Sequence, residues 1–145
     1  MQTFRSIVAV LLLLSSSWAH AEPANPAIGG YSPVSYFTEN AAERGDPAFS
    51  VVHNEQLYYL TSADQVELFN ANPDRYRPRH RSCSYSLALG RVMDLDPTNF
   101  KIIDDTLLLF HKSEDKDARL DWEQSKLSDE ELLRRADANL FLVRF

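Results

Sequence analysis

Two stretches of this 145-residue chain set a short apolar run, a two-residue polar bend and a second apolar run in succession, and everything else must pack against them. The first runs from Phe49 to His53, bends at Asn54 and Glu55, and returns from Leu57 to Leu60. The second runs from Phe100 to Ile103, bends at Asp104 and Asp105, and returns from Thr106 to Phe110. β-Branched and aromatic residues on both sides of a short polar connection predict two β-hairpins. Leu107, Leu108, Leu109 and Phe110 are continuously apolar, which predicts a strand buried on both faces at the centre of the sheet.

Helix signals surround the hairpins. Ser62 is placed to cap a first turn with Gln65 three residues on, Val66 and Phe69 recur at helical spacing, and Pro73 ends the helix by Asn72. Ser113 is placed to cap a charged segment carrying Leu120 and Trp122. Ser128 and Glu131 repeat the capping-box pattern ahead of Leu132, Leu133, Ala136 and Leu140. The expected class is therefore α+β: a small antiparallel sheet built from two hairpins, packed by a central helix and C-terminal helices. Tyr31, Val34, Tyr36 and Phe37, grouped around Pro33, fit either a strand or a turn with buried rings. Tyr58, Tyr59, Phe69, Tyr76 and Trp122 read as core. No internal repeat is visible beyond the two hairpins.

The N-terminus predicts export. Arg5 supplies a positive charge, Ile7 to Leu14 is an apolar run too short to span a bilayer, and Ala19, His20, Ala21 form a small-x-small cleavage pattern. Residues 1–21 read as a cleaved signal peptide, 22–30 as a linker rich in proline and glycine, and 31–145 as one domain in a periplasmic or secreted protein. With the signal removed, no stable membrane anchor is expected. The chain carries a net charge of −6, and its one basic cluster is short, so nucleic acid and anionic membrane are disfavoured as partners.

Candidate chemistry gathers between Arg75 and Gly90. Cys83 is the one cysteine, which excludes an intramolecular disulfide. His80 stands three residues before it. Thiolate and imidazole together suit a transition metal, and the soft sulfur favours copper over zinc, which normally takes three or four protein ligands. His53 or His111, at the ends of predicted strands, is the candidate third ligand. A second reading makes Cys83 a redox-sensing or oxidoreductase thiol activated by the positive charge around it. A third makes it a small buried hydrophobe in a structural or interaction domain without a ligand. Arg77, Arg79 and Arg81 are candidate anion-binding residues, since guanidinium forks match carboxylate and phosphate, or they pair with the chain's own acids. Phosphate-cradling glycine loops, Gly-x-Ser-x-Gly and His-Glu-x-x-His are all absent from the sequence, and the reading leans away from an enzyme.

The stretch from Gly30 to Phe37, GYSPVSYF, resembles the opening of exported YHS-domain proteins. Asp46 and Pro47, the aromatic pair Tyr58 and Tyr59, then Phe69, Asn72, Pro73 and Tyr76 resemble the YHS module itself. Cys83 to Gly90 and the closing Ala136, Asp137, Ala138, Asn139 are similar to the exported subgroup. The resemblance implies a single YHS-type binding domain. YHS modules accompany copper-transporting ATPases and metal-dependent oxygenases, which implies metal handling through cysteines. Those cysteine positions match Ser35, Thr61 and Gln65 here, leaving Cys83 as the thiol on offer.

Overall fold

The computed structural model describes residues 25–143; the predicted signal peptide lies outside the described residues. The α+β class holds. Strand β1 (Asp46–His53) pairs antiparallel with β2 (Gln56–Leu60), and β3 (Asp96–Ile103) pairs antiparallel with β4 (Thr106–Phe110). The hairpins remain two separate two-stranded sheets. Each bend uses two residues at positive φ, Asn54 and Glu55 in the first, Asp104 and Asp105 in the second. That is the backbone sense that matches the twist of the flanking strands.

Six helices belong to the described residues: α1 (Ser35–Thr38), α2 (Ala63–Ala71), α3 (Pro73–Tyr76), α4 (Ser84–Ala88), α5 (Ala118–Glu123) and α6 (Asp129–Ala138). Ser62 and Ser128 cap α2 and α6 as expected, their hydroxyls accepting from the amides of Gln65 and Glu131. Only half of each capping box forms, because Gln65 accepts from the Thr61 amide and Ser32 rather than from Ser62, and Glu131 turns its carboxylate to Arg134 and Arg135. Asp117, not Ser113, caps α5; residues 113–116 close a tight turn instead, with Ser113 and Lys116 exchanging backbone hydrogen bonds. Ser62→Ala should cost about 1 kcal/mol, the usual value of a cap, read as a lowered urea midpoint at unchanged m-value. No loss would mean that Gln65 alone holds the helix start.

The aromatic cluster around Pro33 is neither strand nor simple turn. Pro33 starts the turn that α1 completes, and Tyr31 forms an isolated bridge with Arg44. The expected linker also ends earlier than its composition suggests. Residues 27–30 form a 3-10 turn in which Ile28, Gly29 and Gly30 take positive φ, and Ala27 and Ile28 pack on the core. One glycine is demanded by contact: a Cβ on Gly45 would sit 2.5 Å from the backbone of Tyr59.

Repetition runs deeper than the hairpins. Each strand pairing of the first recurs fifty positions on in the second: Asp46 opposite Leu60 and Asp96 opposite Phe110, Val52 opposite Leu57 and Ile102 opposite Leu107. Both hairpins break register after an Asp-Pro pair, and both aspartates accept from the amide two residues on, at 2.8 Å. A short helix precedes each hairpin and capped helices follow it. The chain is thus a tandem of two similar units.

The two units share β4. Leu108 and Phe110 face a core with Leu87, Trp122, Leu132 and Ala136. Leu107 and Leu109 face the other way, against Tyr36 from the first unit. Burial on both faces is therefore as expected, but β4 is not the centre of a sheet, since among the described residues β3 is its sole strand partner. Its second face is covered by α1. Each fully buried leucine contributes about 1.5–3 kcal/mol, so this strand is where the units are held together.

Candidate functional site

The segment from Arg77 to Cys83 links α3 to α4 and is fixed along its length. The amide of Arg79 donates to the carbonyl of Leu107 at 3.0 Å, and that of Cys83 to Met93 at 3.0 Å. Ser82 donates its hydroxyl to the same Met93 carbonyl at 2.6 Å. Two of its side chains carried the predicted chemistry.

Cys83 has no exposed surface, and its core neighbours include Leu87, Leu108, Phe110 and Trp122. His80 is 1% exposed. Its Nε2 lies 3.0 Å from Asp137 Oδ1 and its Nδ1 lies 2.8 Å from Ser84 Oγ. An ionised carboxylate only accepts, so the neutral ring carries its proton on Nε2 and donates to Asp137, while Ser84 donates to Nδ1. Burial is the largest influence on His80 and pushes its pKa down; the Asp137 hydrogen bond and charge oppose this, and the Arg79 charge reinforces it. Arg79 grips the same carboxylate through Nε at 2.9 Å and Nη2 at 2.5 Å. Hydrogen bonding to Arg79 is the main reason that Asp137 is held below the usual carboxylate range.

Serine, histidine and aspartate in sequence invite comparison with a nucleophilic triad. The order of donation is similar, but Ser84 is wholly buried and is not among the residues lining the cavity described below. A substrate carbonyl has no route to its Oγ. The network acts as a brace, tying the Arg77–Cys83 segment to α4 and, across 57 positions, to α6. Asn139 reinforces it by donating to the Leu87 carbonyl at 2.9 Å.

The residues that the sequence suggested as metal ligands have other partners. Both His80 ring nitrogens are engaged, and the cluster around Cys83 is apolar. His111 directs Nδ1 to the Asp94 carbonyl, and His53 packs against Phe69 with Nε2 3.8 Å from Asp74. Among the described residues no group of three or more His, Cys, Asp or Glu side chains could hold a metal ion. Ser35, Thr61 and Gln65 come together, with Ser32, as a neutral hydrogen-bonded cluster. Gln65 Oε1 accepts from Ser32 Oγ at 2.6 Å and from the Thr61 amide at 3.0 Å, and Gln65 Nε2 donates to Ser35 Oγ at 2.9 Å. Gln65 ties the group together through three hydrogen bonds.

The four arginines separate by role. Arg75 pairs with Asp105, Arg77 with Asp74 and Arg79 with Asp137. Arg81 is exposed and has no ion pair among the described residues. Arg77 and Arg81 both line a cavity of about 220 Å³. Its apolar walls come from Ala27 and Ile28 in the N-terminal turn and from Leu95 and Leu109, and its polar wall adds Tyr58 and His80. Sequence reasoning named the arginines but missed Tyr58, Leu109 and the N-terminal turn, which appeared to be core and linker when read one segment at a time. No family model, curated protein or solved structure was found to match this chain.

Proposed function

We propose that this chain is an exported, YHS-type, non-enzymatic binding module whose ligand site is the cavity at the meeting of its two units. The observation that carries this reading is the make-up of the cavity wall. Five separate segments contribute, namely the turn at residues 27–29, β2, the Arg77–Arg81 segment, and from the second unit Leu95 ahead of β3 and Leu109 in β4. A concave, mostly apolar space with a few convergent polar groups is the usual form of a small-molecule site. The wall is also preorganised: the Arg79 amide fastens the segment to β4, and Leu109 is locked in the core beside Tyr36. Preorganisation reduces what binding costs in ordering. Cys83 and His80 serve this reading as core and brace rather than as ligands.

The test is an amide-shift screen of the labelled chain against small neutral, cationic and anionic fragments. Hits should move the amides of Ile28, Tyr58 and Leu109 together, and Ala27→Phe, which adds a ring to one wall of the cavity, should abolish those shifts while leaving the melting temperature within a few degrees. Hits that map elsewhere, or that persist in Ala27→Phe, would overturn the proposal.

A further inference from the structure

Resting on that reading of the cavity, we infer that its ligand is a small aromatic carboxylate, with the ring among the apolar side chains and the carboxylate at Arg77 and Arg81. Size sets the first bound. An apolar cavity of about 150 Å³ accepts a benzene ring, so one of about 220 Å³ has room for a ring and one compact polar substituent. The cavity opens to solvent, so a longer ligand would leave its excess outside the apolar walls.

Charge sets the second bound. The chain has 21 acids against 15 lysines and arginines, yet no aspartate or glutamate lines this cavity, and two guanidinium groups do. Arg81 brings a charge that no described acid neutralises. Arg77 is held by Asp74 through Nη2, while its Nε is buried and has no hydrogen-bond partner among the described residues. That Nε is closed off from solvent, so Arg81 supplies the uncompensated charge that an anion entering the cavity would meet. Tyr58 adds a neutral hydroxyl: burial, its largest influence, pushes its pKa up, against the opposing charges of Arg77 and Arg81. Its O–H is therefore available to donate. Neutral His80 and Gln56 bring no charge of their own, so the polar wall is neutral or positive with no competing acid.

Shape distinguishes a carboxylate from phosphate or sulfate. Ile28, Leu95 and Leu109 line the cavity together with the arginines, and a fully hydrated inorganic anion would leave that apolar surface unused. An aryl carboxylate satisfies both sides at once.

Calorimetric and amide-shift titrations with benzoate, benzyl alcohol, benzylamine and inorganic phosphate test the inference. Benzoate should bind and shift Ile28, Tyr58 and Leu109, benzyl alcohol should bind at least about tenfold more weakly, and benzylamine and phosphate should leave those amides unmoved. Arg81→Gln should weaken benzoate about tenfold or more, consistent with loss of a charge-assisted hydrogen bond, with Arg81→Lys intermediate. Arg81 is exposed and unpaired, so these variants should fold normally. If benzyl alcohol or benzylamine matches benzoate at the cavity, or if Arg81→Gln binds benzoate unchanged, the carboxylate inference falls while the cavity remains a binding site. If none of the four probes perturbs the cavity amides, the inference and the reading beneath it both fall.

Discussion

Cys83 in the folded chain is expected to react with a disulfide reagent such as DTNB at least about a thousandfold more slowly than the same thiol in denaturant, because reaction needs an opening of the core that costs several kcal/mol. The sulfur has no exposed surface, and the buried residues clustered with it come from α4, β4, α5 and α6. Fraying one element alone would not uncover it. The rate should rise with urea in parallel with global unfolding. Two substitutions then separate a packing role from a chemical one. Cys83→Ala removes one sulfur from an apolar site and should cost about 1–2 kcal/mol. Cys83→Ser keeps nearly the same shape but places a hydroxyl where the clustered side chains offer no acceptor, and should cost as much or more. Rapid modification of the native thiol, or a tight Cu(I) complex lost in Cys83→Ser, would restore the metal or redox reading that the sequence alone invited.

What was readable in advance, and what was not, follows from the range over which each feature is encoded. The hairpin bends at Asn54-Glu55 and Asp104-Asp105 and the caps at Ser62 and Ser128 depend on residues within four positions of one another, and they formed where their patterns predicted. The helix α4 escaped notice because Ser84 to Ala88 is a single turn with no periodic stripe. Its position is set by distant partners, Asn139 at its C-terminal end and Asp137 through His80. The fifty-residue repeat was hidden by substitution, since Val51 corresponds to Lys101 and Phe49 to Asn99. Its signature is register, a property of backbone pairing that side-chain identity does not display. The strand β4 misled in a more specific way: continuous apolar sequence implies cover on both faces, but it does not say that the second cover must be another strand. Here it is Tyr36.

The candidate site follows the same logic. Crowded positive charge pointed to Arg75–Arg81, and sequence proximity joined His80 to Cys83. The fold separates their surroundings, enclosing the sulfur in the second unit's core and turning the imidazole to Asp137 and Ser84. Three of the four arginines then pair with acids, as an acidic chain allows, and the one left over lies at the cavity. Its apolar wall is assembled from residues more than eighty positions apart, Ile28 and Leu109, and no local pattern announces such a meeting.

The His80 brace makes the Arg77–Arg81 segment sensitive to acid, and the sign follows from its surroundings. Burial lowers the pKa of His80 in the folded state, so the unfolded chain binds its proton first, near pH 6.5. Stability from this group is fully present above that pH and is lost as pH falls through the lower folded value. Asp137 is also depressed, chiefly by hydrogen bonding to Arg79, so its contribution is kept above the ordinary carboxylate range and lost only in stronger acid. Two steps are therefore expected in the melting temperature, the first beginning below about pH 6.5. His80→Gln should lower the plateau at pH 7 and flatten the first step, while Asp137→Ala should cost about 1–3 kcal/mol, because the His80 Nε2 proton is left buried without an acceptor. Ring-nitrogen shifts should show His80 neutral, with its proton on Nε2, at pH 7. If His80 titrates at or above pH 6.5, or if His80→Gln keeps the full acid slope, the brace is not what holds the segment. If the brace does hold it, acid and Asp137→Ala should both loosen Arg77 and Arg81 before the hairpins melt, since the first unit's core of Val34, Tyr58, Leu60, Phe69 and Tyr76 contains none of the groups that titrate.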